Sequence, residues 1–83
     1  MQYTVKLKPQ AIKDCKKIPK LFLKQIFEKI DAMQNDLTGN IKKLTNFTPE
    51  YRLKIGNYRV LFEIENNIIF IYRIIHRKDA YKL

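Results

Sequence analysis

Tyr51-Arg52-Leu53-Lys54-Ile55-Gly56-Asn57-Tyr58-Arg59-Val60-Leu61-Phe62-Glu63-Ile64 is the stretch that decides the fold. Successive side chains of a strand point to opposite faces, so Arg52 and Lys54 share one face while Leu53 and Ile55 share the other. The same parity separates Arg59 and Glu63 from Tyr58, Val60, Phe62 and Ile64. Gly56-Asn57 lies between the two runs and supplies residues that tolerate positive φ, the signature of a tight hairpin. Paired in this way, the segments make a sheet with one apolar face and one face crowded with guanidinium and ammonium groups.

Working outward, Asn66-Asn67 repeats the turn signal and leads into Ile68 to Arg77, giving a three-strand antiparallel meander. In this third strand, parity sets Arg73 and Arg77 apart from Phe70, Tyr72 and Ile74, which are expected in the core with Tyr58 and Phe62. Tyr3 to Lys8 alternates apolar and polar residues and reads as a strand with Tyr3, Val5 and Leu7 inward, completing the sheet. Pro9 suits the first position of a helix running to about Lys17, and Pro19 opens a second helix. In that second helix Phe22, Ile26, Ile30, Met33 and Leu37 recur at spacings of three and four, making one apolar stripe that Gly39-Asn40 terminates. A short strand is expected around Lys42-Lys43-Leu44, its lysines keeping an edge soluble in preference to touching phosphate. The class is α+β: a small, antiparallel-rich sheet with an N-terminal helical hairpin on one face, forming one domain over residues 1–83.

The 83 residues carry 17 Lys and Arg against eight Asp and Glu, a formal charge of +9. That density favours anionic partners. No apolar run approaches the ~18 residues of a membrane span, and no signal-peptide pattern follows Met1, so a cytoplasmic protein with no membrane partner is expected. Lone Cys15 has no internal disulfide partner and is expected to pack on its helix. The only histidine, one cysteine and scattered carboxylates do not supply a clustered metal site, and no cofactor is expected. The chain has no serine, which excludes a serine triad, and two glycines exclude the glycine-rich phosphate loops. What remains is catalysis by charge. When a ribose 2′-OH attacks its neighbouring phosphorus, fixed cations stabilise the extra charge of the transition state more than that of the ground state.

Tyr51-Arg52-Leu53-Lys54-Ile55, Tyr58-Arg59-Val60 and the terminal His76-Arg77-Lys78-Asp79-Ala80-Tyr81 together resemble the RelE branch of the RelE/ParE toxin superfamily. The resemblance implies a toxin of a type II toxin–antitoxin system. It implies a ribosome-dependent, metal-independent endoribonuclease that cleaves mRNA in the A site by 2′-OH attack and leaves a cyclic phosphate. By the same resemblance, Lys54 matches a lysine of transition-state stabilisation, Arg59 an arginine holding the scissile phosphate, and Arg77 an arginine protonating the leaving 5′ oxygen. Tyr81 matches a terminal tyrosine that orients the nucleotide. Arg52 stands where the family pattern has a lysine; arginine is a poor base, so the base role moves to Lys54 and Arg52 becomes an electrostatic clamp. His76 is a rival acid because a free imidazole titrates near ~6.5, although parity places it on the apolar side and favours a hydrogen-bonded structural role. Tyr51, Arg73 and Lys78 complete the expected RNA-binding set.

Blander readings stand beside these. Arg73 and Glu63 make a cross-strand ion pair on a solvated face in preference to binding substrate. Phe70 and Tyr72 pack in the core and do not stack on bases, whereas Tyr51 flanks the cationic face. Two alternative functions share the scaffold or the charge: a ParE-like inhibitor of DNA gyrase that acts by protein binding, and a basic RNA-binding module without catalysis. The resemblance further implies a small acidic antitoxin as partner, with promoter DNA bound only through the joint complex. With Lys82 and Leu83 alone after Tyr81, direct occlusion of the cationic face is the expected inhibition.

Overall fold

A computed structural model describes residues 2–35, 41–44 and 49–80. The elements follow in the order β1 (Thr4–Leu7), α1 (Pro9–Cys15), α2 (Lys20–Met33), β2 (Ile41–Lys43), β3 (Tyr51–Ile55), β4 (Tyr58–Glu65), β5 (Ile68–His76) and α3 (Arg77–Ala80). One five-stranded mixed sheet results, ordered β1-β5-β4-β3-β2, in which only the β1–β5 pairing is parallel.

Both hairpins close with two-residue turns, and each turn explains its residues. Asn66 and Asn67 sit at φ 50° and 65°, the double left-handed geometry of a type I′ turn, while at Gly56-Asn57 only Gly56 does so, at φ 54°. Proline opens α1 at its first turn and directly precedes α2, so neither imino nitrogen removes a helical hydrogen bond. The α2 stripe buries Ile26, Ile30 and Met33 to 1% exposure against Leu53, Val60, Phe62, Ile69, Ile71 and Ile74 of the sheet, with Ala11 of α1 and Ile18 of the turn that follows it joining them. Phe22 at the start of the stripe is exposed. Leu37 and the Gly39-Asn40 stop lie outside the described residues.

The apolar parity of β5 departs from the expected alternation. Leu61 pairs with Arg73 but Phe62 pairs with Ile71, so Tyr72 is an extra residue in a β-bulge. Upstream of the bulge the faces exchange: Ile69 and Ile71 are the fully buried residues, and Phe70 lies across from Glu63 on the opposite face. The expected core positions of Phe70 and Tyr72 are therefore corrected; downstream, Ile74 remains in the core.

β1 pairs with the first half of β5 only. Past Leu7 the chain turns into α1, and the Ile74 N–H beyond the end of that pairing donates to Asp14 Oδ2 at 3.0 Å. The helix thus takes over as cover for the exposed side of β5, with a carboxylate serving the backbone group that a longer strand would have bonded.

Candidate functional site

The strand registers lay the outward cations in two adjacent rows. One runs Lys42, Arg52, Leu61, Arg73 across β2, β3, β4 and β5; the next runs Lys54, Arg59, Ile75. Lys54 and Arg59 are direct cross-strand partners one step from the Gly56-Asn57 turn. Lys54 is exposed and Arg52 half-buried. This face is not uniformly polar, since Leu61 and Ile75 are buried on it.

Arg59 departs from the open, outward placement its parity suggests. Only 7% of the residue is exposed, and its Nη1 donates to the carbonyls of Gly56 at 3.0 Å and Tyr58 at 2.9 Å. These two acceptors use one nitrogen of the planar fork and hold the rest in a fixed attitude. Arg77 is displaced from its expected place on the strand face: β5 ends at His76, and Arg77 opens the short α3 turn, exposed, with its N–H donating to Asn57 O at 2.7 Å. Its backbone therefore abuts the same turn that anchors Arg59. Lys78 is exposed on α3, and Tyr81 lies outside the described residues.

His76 stands on the opposite, apolar side. Its ring meets Tyr58 edge-on at 5.5 Å, and its Nδ1 accepts the Lys78 N–H at 3.2 Å, which leaves the proton of a neutral ring on Nε2. With Phe22, Gln25, Ile55 and Tyr58 it lines a cavity of about 270 Å³ between α2 and the turn. Tyr51 is also on this side, stacked on Phe62 at 5.4 Å and 18°, so its expected place flanking the cationic face is corrected.

The Arg73–Glu63 pair is replaced by one that sequence reading missed. Arg73 donates from Nε and Nη2 to the two carboxylate oxygens of Asp14, at 2.8 and 3.1 Å, while Glu63 pairs in register with Phe70. Asp14 is 4% exposed. Burial alone pushes its carboxyl up, but the hydrogen bonds from Arg73 and Ile74 N–H, with the guanidinium charge, bring it below the ordinary carboxylate value. The same bond raises Arg73 above its usual value against the opposing effect of burial. A signal existed: Ala11, Asp14 and Ile18 are spaced to share one buried helical face, and an acid on such a face needs a partner. Next to it, burial pushes the Cys15 thiol up and the Asp14 charge adds to the shift, so Cys15 is poorly nucleophilic.

Against known proteins, residues 5–81 match the family of ParE toxins of type II toxin–antitoxin systems, parDE. Toxin RelE3 of Methanocaldococcus jannaschii is 36% identical over 75 residues, covering 84% of this chain and 85% of that protein. Putative toxin RelE1 of the same organism is 31% identical over 88 aligned residues, covering 99% and 98%. A chain of the RelB-RelE antitoxin-toxin complex from Methanococcus jannaschii superposes with a TM-score of 0.77 at 31% identity, covering 92% of this chain and 94% of that one. A sheet with two cation rows beside a tight turn, a family match along nearly its whole length and a shared fold converge on one answer: the chain belongs to the RelE/ParE superfamily of type II toxin–antitoxin toxins.

Proposed function

We propose that the chain is a ribosome-dependent mRNA endoribonuclease, neutralised by a cognate acidic antitoxin, that cuts within the A site without metal. The observation that carries the reading is the Lys54–Arg59 register pair beside the turn to which Arg77 is hydrogen-bonded. In the reaction the 2′-oxygen forms a bond to phosphorus and the bond from phosphorus to the 5′ oxygen breaks, giving a 2′,3′-cyclic phosphate. Lys54, free at the surface, takes the 2′-OH proton or offsets charge on the phosphoryl oxygens. Arg59, positioned by two carbonyls, turns its remaining N–H groups to the phosphate, and such fixed donors need no reorganisation as charge develops. Arg77 supplies the proton of the departing 5′ oxygen, Arg52 adds positive potential in the neighbouring row, and Tyr81 stacks on the nucleotide. Lys78 adds attraction for RNA. The antitoxin assignment is supported by the relative that is paired with RelB.

Primer-extension mapping of cellular mRNA after brief induction tests the reading. Cuts inside codons are expected with the wild type and their loss with Lys54→Ala. The matched family is described by its ParE members, so a gyrase inhibitor is the rival: uncut mRNA with a DNA-damage response would replace the nuclease reading with that one.

A further inference from the structure

The β5 bulge that removes Tyr72 from the core brings it to a hollow of about 580 Å³ on the cationic side, where Leu61, Tyr72, Pro49 and Arg73 face Lys8 and Lys13 of the segment entering and forming α1. That volume falls within the range of small-molecule sites. Among the described residues its lining contains three cations and no carboxylate. Lys8 is held at its margin, the ammonium 4.9 Å from the Phe70 centroid and 5.5 Å from that of Tyr72. Arg73 forms a wall whose Nε and Nη2 are already committed to Asp14, so among the described lining residues Lys8 and Lys13 are the cations most open to an anion.

We propose that this hollow is a second nucleotide subsite, taking the RNA residue next to the one cleaved, with its base against Tyr72 and its phosphate between Lys8 and Lys13. The inference rests on the nuclease reading and adds to it where the neighbouring nucleotide lies. Its geometric basis is the register: Leu61, at the hollow, is two residues along β4 from Arg59 on the same face, about 7 Å away. An RNA strand with a phosphate at Arg59 reaches the Leu61 edge of the hollow in one nucleotide step, with Arg52 flanking Leu61 on the β3 side and Arg73 on the β5 side, where the hollow opens. Aromatic surface beside cations is the arrangement that binds single-stranded RNA with tolerance of sequence, because every base has a π face. An acidic antitoxin segment would satisfy the same charges, but the continuity with the Lys54–Arg59 row favours RNA.

The test is an NMR titration of the full chain with a 2′-O-methyl trinucleotide, which binds without being cut, combined with primer extension of cellular mRNA. Amide shifts are expected at Lys8, Leu61 and Tyr72 together with Lys54 and Arg59. Tyr72→Leu is expected to weaken binding about tenfold, as the loss of one stacked base does, with Tyr72→Phe restoring it; Lys13→Gln, on an exposed residue, weakens it without touching the core. Shifts confined to Lys54 and Arg59, or wild-type affinity in both Tyr72→Leu and Lys13→Gln, overturn the subsite. So does a loss of antitoxin binding in those variants with trinucleotide affinity unchanged, which would make the hollow a peptide site. If the trinucleotide binds in the hollow while cellular mRNA stays intact, the subsite stands and cleavage fails; if mRNA is cut and the hollow is silent, only the subsite fails.

Discussion

Arg59 and Arg73 are both strand arginines whose guanidinium groups are tied to the protein, yet they are held in opposite ways. Arg59 is anchored by two carbonyls within three residues of itself, whereas Arg73 is anchored by a carboxylate 59 residues away on α1. Neutral carbonyls fix a guanidinium without offsetting its charge; a bidentate carboxylate fixes it and cancels most of its field. The contrast divides the cationic face. The turn end keeps its positive potential beside Lys54, and the α1 seam spends its cation on joining helix to sheet. Two arginines that parity alone makes equivalent thus have different work available to them.

The largest effect that tests this contrast is on catalysis. Arg59→Ala should lower mRNA cleavage on programmed ribosomes at least a hundredfold, the usual loss for one fixed donor to a developing anion. Because Nη1 also ties the hairpin, the variant should lose about 1–2 kcal/mol of stability as well. Arg73→Lys, by comparison, should change cleavage only a few-fold. Equal losses in the two variants would erase the distinction between them.

The seam should respond in stability. Asp14→Asn leaves the guanidinium without its countercharge, and with Arg73 about a third exposed the cost is reduced from that of a fully buried pair to about 2–3 kcal/mol. In a domain this small, that lowers the melting temperature by roughly 10–20 °C. The replacement of both partners, Asp14→Leu with Arg73→Met, should recover much of the loss, because it removes the desolvated charges together. The pH dependence has a definite sign. The Asp14 carboxyl is lowered in the folded state, so its contribution is complete above its unfolded value near ~4 and disappears as pH falls through the lower folded value. Urea midpoints of wild type and Asp14→Asn should therefore differ widely at neutral pH and converge in acid; a gap that persists or widens in acid would contradict the pair's role.

Much of the architecture was readable because it is written in local signals. Gly56-Asn57 and Asn66-Asn67 specify the hairpins, and the Ile26, Ile30, Met33 spacing specifies the buried face of α2. The rest depends on contacts between distant segments. No glycine or proline in β5 marks the bulge at Tyr72, so strict alternation assigned Phe70 and Tyr72 to the wrong face. The parallel pairing of β1 with β5, and the Asp14–Arg73 bond, join segments about sixty positions apart and leave no periodic trace. Of the site, the Lys54–Arg59 pairing follows from hairpin register alone. The withdrawal of Arg59 to carbonyls, the end of β5 at His76 and the departure of Arg77 into α3 are decided by hydrogen bonds that parity does not encode.

The smallest effect is the most selective. Gly56 holds φ 54°, and a Cβ added there meets nothing within 4 Å. Gly56→Ala therefore carries backbone strain without a clash, about 1 kcal/mol. If the turn relieves that strain by rotating, the Gly56 carbonyl moves and Arg59 loses one of its two acceptors. Cleavage should then fall several-fold while the Asp14–Arg73 seam, measured by the acid sensitivity of the urea midpoint, stays as in the wild type. Asn67→Gly at the other hairpin is the matched control: it eases a left-handed residue that holds no arginine, so it should add a few tenths of a kcal/mol and leave cleavage unchanged. Loss of stability in Gly56→Ala with full cleavage would mean that Tyr58 O alone positions Arg59, and that the anchoring at the turn is less cooperative than the paired bonds suggest.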